Sequence, residues 1–391
     1  MSQQTQQAQR VPGVHREVVR EAQDLLFRTG VPAFLGYSSA TAPALLTRAA
    51  QFASAVPGSA PDSLLAAAVR GFFAAGGRRC AVIPVPPGTG AAGHRDALVM
   101  LGELAEVDLV AAPDLLTAWT APTSPSAAAC SELVATQAEL VRRAAGHRCV
   151  TVLDLPPTRA QASKHAAALR TALTKLAGPA ALRDAAVYHP WVRAPGEPRF
   201  QPPSGHVLGL IAHLDEREGV HRAPAGLELA GICDLGDAVD DSAQPGLDEL
   251  GVNCIRAFRG RGLRVWGAHT LSADSEWRPL SVRRLILTIG RWLELRLTDF
   301  AFEPNDPLVW NRLAREVSGY LDRLHAAGAL RGRIPAEAYF IKCDAETNPP
   351  EVRDAGQLVA EIGVAPLVPQ AFIALRLIQR SGGTSLTDAA G

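Results

Sequence analysis

The sequence predicts a mixed architecture, α/β and α+β: a mostly parallel α/β domain, then a C-terminal α+β core domain, with an extended arm at each chain end. Three observations predict it. Strand and helix patterns alternate from residue 63 to 192, two helical patterns and then strands follow residue 270, and short apolar segments stand beside tethers at both ends. Alternation builds βαβ units, whose parallel sheet is covered by helices on both faces.

The N-terminal arm is assigned to residues 1–20. Met1–Arg10 is rich in Gln, and Val11, Val14, Val18 and Val19 mark an extended segment with little of its own to pack against. Residues 21–58 read as a small β-containing segment, with a strand over Val31–Tyr37 and an amphipathic helix over Pro43–Phe52. The α/β domain spans 59–270. Its helices are predicted over Ser63–Ala75, Arg95–Ala105, Glu132–Ala145 and Arg159–Ala177, and its strands over Cys80–Val85, Val107–Ala112, Cys149–Leu155 and Ala185–Val192. Ser63, Ser131 and Thr158 stand where a side-chain oxygen caps the free N–H groups of a first turn. Residues 193–205 and 236–246, rich in Pro, Gly and Asp, read as irregular connections.

The C-terminal α+β domain is assigned to 271–365. One helix is predicted over Val282–Leu297; a second has Asp306 as its cap, Pro307 in its first turn and Gly328 just past its end. In it Val309, Leu313, Val317, Tyr320, Leu321 and Leu324 recur at helical spacing and form one buried stripe. Strands follow over Ala338–Cys343 and Leu358–Val364. Residues 366–391 form the C-terminal arm and tail, in which Phe372, Ile373, Leu375 and Leu377 lie on an apolar segment tethered through Pro366 and Pro369.

Composition excludes several classes. With 47% apolar and 20% charged residues the chain is globular and able to bury sizeable cores. Its 39 basic and 39 acidic residues cancel, which removes the long-range field that draws a protein to nucleic acid or an anionic membrane. The six cysteines are far apart with no C-x-x-C pair, so they read as reduced, mostly buried thiols and not as zinc ligands. No run approaches the ~18 apolar residues that span a bilayer. The N-terminus lacks the pattern of a secretory signal, so a cytoplasmic site of synthesis is expected.

The sharpest enzymatic motif is Gly88-Thr89-Gly90-Ala91-Ala92-Gly93, a G-x-G-x-x-G match between a predicted strand and a helix. In dinucleotide enzymes such glycines let backbone N–H groups approach a pyrophosphate, and Asp108 stands near the offset for a ribose contact. A cytoplasmic α/β enzyme binding a dinucleotide at Gly88, Gly90 and Gly93 is therefore the alternative reading. Against it, Pro84, Pro86 and Pro87 interrupt the passage into the loop. No Gly-Lys-Ser/Thr follows, no G-x-S-x-G elbow is present, and the histidines show no His-x-x-x-His pair. The acidic groups Asp215-Glu216-Arg217-Glu218 and Asp234, Asp237, Asp240 and Asp241 offer oxygen ligands to a divalent cation but read first as solvated loops, and Arg259, Arg261 and Arg264 as ion-pair partners or phosphate ligands. No reaction centre, metal site or cofactor follows from the residues.

Longer stretches carry a family resemblance. Pro202-Pro203-Ser204-Gly205-His206-Val207-Leu208-Gly209, then Asp215, Arg217, Glu218-Gly219-Val220 and Ala223-Pro224-Ala225, resemble the PPSGHVAG…D…RGV…APAN block of the tail sheath family of contractile phages, R-type pyocins and extracellular contractile injection systems. Gly251–Arg256, Gly262–Thr270 and Trp277 are similar to the next block of that family. Val282-Arg283-Arg284, Phe302–Asp306, Trp310, Gly328-Ala329-Leu330 and Lys342-Cys343-Asp344 resemble stations of its C-terminal domain, in the same order. Two positions depart: His269 stands where the family usually has Arg, exchanging a permanent five-donor fork for a titratable ring, and Gly226 replaces the common Asn.

The resemblance implies a structural, non-enzymatic subunit that stacks as six-membered rings around an inner tube and contracts, with a baseplate and terminal cap as further partners. It also implies that Val11, Val14, Val18 and Val19, and Phe372, Ile373, Leu375 and Leu377, belong to strands lent to neighbouring copies. An unpaired strand edge is costly, and strand addition satisfies its N–H and C=O groups. Arg283, Arg284, Glu303 and Asp306 are the candidate interface charges, with pairing and capping inside the domain as their alternative.

Overall fold

The computed structural model describes residues 28–121, 125–297, 300, 303–368, 373–380 and 383–388. The N-terminal part is built on short apolar strands: β1 (Pro32–Tyr37), β2 (Ala44–Leu46), β3 (Cys80–Val85), β4 (Leu109–Ala111), β5 (Val150–Asp154), β6 (Ala185–His189), β9 (Val252–Phe258) and β10 (Gly262–Trp266), with a two-stranded ribbon of β7 (Val192–Arg193) and β8 (Asp234–Leu235). The large sheet runs β10-β9-β6-β5-β4-β1-β3-β2. Its six inner strands are parallel, and β2 and β10 close the edges antiparallel. Full burial of β3 and β5 on both faces explains why they read as unbroken apolar runs.

Helices α1 (Phe52–Ala55), α2 (Leu64–Ala74), α3 (Gly90–Ala97), α4 (Ala127–Gly146), α5 (Arg159–Ala177), α6 (Ser204–Glu218) and α7 (Gln244–Glu249) belong to this unit. On one face α2 and α6 set Leu65, Phe72, Val207 and Ile211 against Phe34, Val82, Val152 and Tyr188. On the other, α4 and α5 set Val141, Leu169 and Leu173 against Leu153 and Val187.

The C-terminal part comprises α8 (Leu280–Leu297), α9 (Pro307–Ala326), α10 (Pro335–Ala338), β11 (Tyr339–Lys342), α11 (Pro350–Asp354), β12 (Leu358–Val364), β13 (Ile373–Arg380) and β14 (Gly383–Asp388). Its sheet, ordered β11-β12-β13-β14, is antiparallel throughout. Asp306 Oδ1 accepts from the N–H groups of Leu308 and Val309 at 2.9 and 3.0 Å, which starts α9. The predicted stripe of α9 is buried, and Tyr320 stacks on Trp292 of α8 with ring centroids 4.0 Å apart. Helix α8 serves two cores: Leu280 and Leu287 pack beneath the large sheet, while Leu285, Ile289, Trp292 and Leu293 pack against α9 and the C-terminal sheet.

Several expectations are corrected. Residues 28–58 are no separate segment, since β1 lies between β4 and β3 in the large sheet. In place of a helix over 43–52 stand β2, held by pairing to the β3 edge, and the single turn α1. Helix α3 begins at Gly90 and gives way to a 3₁₀ turn over Leu98–Glu103. Helix α4 is capped by Ser126, not Ser131, whose hydroxyl donates back to Ala127 O at 3.1 Å. Residues 204 and 205, expected in an irregular connection, and 215–218, expected in a solvated acidic loop, are the two ends of helix α6, with Asp215 buried, and Arg259 and Arg261 lie in the turn of the β9–β10 hairpin. No helix among the described residues is long and apolar enough to cross a membrane.

Candidate assembly surfaces and the joint beneath the sheet

In the C-terminal sheet β11 and β14 are the outer strands, so each presents one unladdered edge among the described residues. Strand β13 pairs with β12 from Leu358↔Gln379 to Val364↔Ile373. Ile373, Leu375 and Leu377 point into the chain's own core, alternating with the more exposed Ala374, Arg376 and Ile378. This strand, expected on an arm reaching to another copy, thus completes the sheet of its own chain here. Its N–H and C=O groups find in β12 the ladder that a lone copy has to offer. Val11, Val14, Val18, Val19 and Phe372 lie outside the described residues.

The candidate interface charges are corrected more sharply. Arg284 is 4% exposed. Its Nη1 donates to Asp215 Oδ1 at 2.8 Å and its Nη2 to Asp108 Oδ2 at 2.7 Å. Asp108 also accepts the backbone N–H groups of Gly30 and Val31, at 3.1 and 2.8 Å. Burial alone pulls the Arg284 guanidinium down, yet Asp215 and Asp108 together carry it above its ordinary value, so it stays charged. Beside it Arg283 Nε donates to Asp184 Oδ1 at 2.7 Å, and both groups are buried. Arg283 and Arg284 are therefore internal: they join α8 to the N-terminal ends of β4 and β6, and α8 to α6. Glu303 pairs with Arg312 at 2.5 Å on the surface, and Asp306 is the cap of α9.

The glycine loop lacks the partners of a dinucleotide site. Gly88 and Gly90 adopt positive φ, 82° and 56°, with open space where a Cβ would stand, whereas a Cβ on Gly93 would fall 1.8 Å from Thr89 Oγ1. The loop sits at the C-terminal end of β3, but Asp108 precedes β4 at the opposite end of the parallel sheet and is bound to Arg284. A ribose contact from Asp108 is thereby excluded. The acidic loops are also engaged: Asp237 accepts the Arg159 N–H at 2.7 Å, and Asp241 pairs with Arg256 at 2.6 Å. His269 Nδ1 lies 3.2 Å from Asp248, whose other oxygen takes Arg278 Nη2 at 2.8 Å, so a neighbouring Arg supplies the permanent charge there.

The Pro-Pro-Ser-Gly-His block turns out to be packing and capping. Asp154, wholly buried at the end of β5, accepts the Ser204 N–H at 2.9 Å and starts α6. Burial pushes its carboxyl up to about 7, against the hydrogen bonds from Ser204. Asp114 does the same for β1 and α2, accepting the N–H groups of Tyr37 and Leu65 at 2.8 Å each, with its carboxyl pushed up to about 6 by burial. Gly205 and Gly209 let α6 approach α2, since a Cβ on them would fall 2.2 Å from Ala68 O and 2.3 Å from Phe72 O. Sequence reading missed both carboxylates; for Asp154 an Asp closing a strand was the available signal, with α6 opening without a capping side chain of its own, whereas α2 already has Ser63 as its cap.

Comparison with known proteins agrees with this architecture. Residues 87–271 match the family model of the phage tail sheath protein central domain. The tail sheath protein of Vibrio phage KVP40 is 25% identical over 197 residues, 49% of this chain and 28% of that protein. The tail sheath protein of Burkholderia phage BcepMu is 29% identical over 170 residues, 41% of this chain and 34% of that protein. The matched part is thus about a third or less of these relatives' own length. Among solved structures, the helical sheath of the anti-feeding prophage (AFP) in its contracted state matches with a TM-score of 0.71 at 26% identity, over 94% of this chain and 98% of that chain. The sheath complex of PVC, an extracellular contractile injection system, also contracted, gives a TM-score of 0.68 at 25% identity over 93% and 96%. With the sequence blocks in family order and the two-part fold, residues 87–271 of this chain match the central domain of phage tail sheath proteins, and the fold as a whole is similar to the AFP and PVC sheath structures.

Proposed function

We propose that the chain is the structural sheath subunit of a contractile injection particle. Copies stack as six-membered rings around an inner tube, bounded by a baseplate and a terminal cap, and rearrange together to drive the tube outward. The observation that carries this reading is the end-to-end likeness to a sheath solved in its contracted state, over 94% of this chain. The work is mechanical, so no catalytic group or cofactor is assigned, and assembly takes place in the cytoplasm. The C-terminal domain faces the tube and the α/β domain faces outward.

Two features support strand exchange between copies. Residues 365–372, eight in all, join the directly paired Val364 and Ile373, where hairpins commonly use about 2–5 residues. Fully extended, that connection reaches roughly 26 Å, far more than the turn between paired strands needs, which supports handing β13 to a neighbouring β12. Phe340, an exposed apolar residue, lies on the outer strand β11, with exposed Ile334 just before α10 and exposed Leu367 and Val368 just past β12.

Electron microscopy of the purified full chain, alone and with a co-expressed tube protein, tests the reading. Ribbed tubes are the expected result. Discrete small oligomers together with saturable NAD binding would overturn it in favour of the dinucleotide alternative. Removing residues 1–20 is expected to leave a folded subunit that forms no tubes, and normal tubes from that variant would retire the N-terminal arm.

A further inference from the structure

On the face of the large sheet opposite α2 and α6, a cavity of about 510 Å³ opens between α4 and α5. Its walls are mainly apolar, Trp119, Val134, Pro156 and Ala168 among them, with Ser131, Gln161, Lys164 and His165 as the polar groups. The volume lies within the ~300–1,000 Å³ of small-molecule sites, which combine apolar walls with a few placed polar groups.

One placed polar group is His165, 5% exposed and part of the cavity wall. Its state is fixed from behind. Gln137 Nε2 donates to Asp154 O at 2.9 Å, which turns the amide oxygen Oε1 toward His165 Nε2, 2.7 Å away. An amide oxygen only accepts, so Nε2 carries the proton. Burial holds the ring well below its ordinary value, at about 4, so it is neutral at pH 7. Nδ1 is then a bare acceptor with no partner among the described residues, on a side chain that is otherwise enclosed. Nδ1 opens onto the cavity, where a ligand that brings a donor is favoured over one that covers the nitrogen with carbon.

We infer that the α4–α5 cavity is a binding site for a small, uncharged, ring-sized apolar molecule that carries one N–H or O–H donor directed at His165 Nδ1. Indoles and phenols are the chemical class that fits. A cationic head group is disfavoured by the apolar walls and by Lys164, and a pure hydrocarbon leaves Nδ1 unpaired. The inference is independent of the sheath reading, since it rests on the interior of one copy.

The test uses the full chain with indole and 1-methylindole as probes, titrated by ligand-observed NMR or calorimetry at pH 7.5. Indole is expected to bind saturably, and 1-methylindole, which has lost its donor, roughly fivefold to tenfold more weakly. Indole is also expected to slow alkylation of Cys130, which lines the cavity, but not of the exposed Cys233, as read by peptide mass spectrometry. Ala168→Trp, at an exposed helical position, fills the cavity and is expected to abolish indole binding with an unchanged circular dichroism spectrum; Ala135→Trp from the facing helix serves if that variant fails to fold. Absence of saturable indole binding, equal affinity for the two probes, or binding that survives a folded cavity-filling variant overturns the inference.

Discussion

Arg284 of α8 reaches Asp108, 176 residues earlier in the chain, with its Nη2 2.7 Å from Oδ2 at the N-terminal end of β4. The same guanidinium holds Asp215 of α6, so one cation ties three elements together inside the protein. Removing it leaves the buried Asp108 and Asp215 without their shared cation, with Arg291 Nη2 4.0 Å from Asp108 still nearby. Arg284→Met is expected to destabilise the subunit by about 3–5 kcal/mol, read as a lower urea midpoint. Adding Asp108→Asn and Asp215→Asn is expected to recover much of the loss. An Arg284→Met subunit that melts like the parent, yet does not assemble, would return the residue to the subunit boundary.

The buried Asp154 predicts a pH signature. Its folded value of about 7 lies above the ordinary 3.8, so the folded state holds the proton more tightly. The stabilisation is complete below about pH 4 and is lost as pH rises through about 7. Asp154→Asn keeps an acceptor for the Ser204 N–H without the charge. It is expected to be more stable than the parent by about 2–4 kcal/mol at pH 8, with the difference shrinking as pH falls toward 4. A difference independent of pH, by thermal melts across that range, would show that Asp154 is not the group responsible.

His165, His189 and His206 act in the opposite sense. Burial lowers each to about 4, so all three are neutral in the fold and take up protons on unfolding below about 6.5. Their contribution is present above that value and is lost as pH falls toward 4. The melting temperature is therefore expected to drop on acidification from pH 6.5 to 4.5, and His189→Gln or His206→Gln to flatten that drop by about a third each. Unchanged slopes in both variants would count against the assignment.

Glycines separate close packing from mere flexibility. Gly205→Ala and Gly209→Ala push a methyl into the backbone of α2 and are expected to cost about 1–3 kcal/mol each. Gly319→Ala, inside α9 with open space around it, is expected to stabilise by about 0.5–1 kcal/mol. Thermal denaturation of the three variants reads both signs, and a neutral Gly205→Ala would mean that α6 and α2 are able to part.

Replacing residues 365–372 with a two-residue Asn-Gly turn commits β13 to its own sheet. The expected product is a folded subunit with the parent's circular dichroism spectrum and no tubes under the microscope. Tubes from this variant would show that the lattice does without exchange of the C-terminal strand.

What was legible in the sequence was local. Asp306, Pro307 and the stripe from Val309 to Leu324 fix α9 by contacts within four residues, and β12 carries its own apolar run. Helix α6 was hidden because Gly205 and Gly209 weaken helix propensity and make sense only against α2, more than a hundred residues away. Asp108 looked like a ribose ligand because spacing along the chain does not say which end of a strand a side chain occupies. Arg283 and Arg284 looked like surface charges because their partners come from Asp184, Asp108 and Asp215, which no periodicity connects.

Helix α8 is unbroken over 18 residues, with Arg284 and Leu287 clamped under one sheet and Trp292 stacked on Tyr320 near the other. Torque applied to either half of the molecule passes along that shaft into its counterpart. In the sheath function proposed above, such a shaft shifts the compliance of the assembly to the links from one copy to the next, and the stroke would be set by how those links pivot.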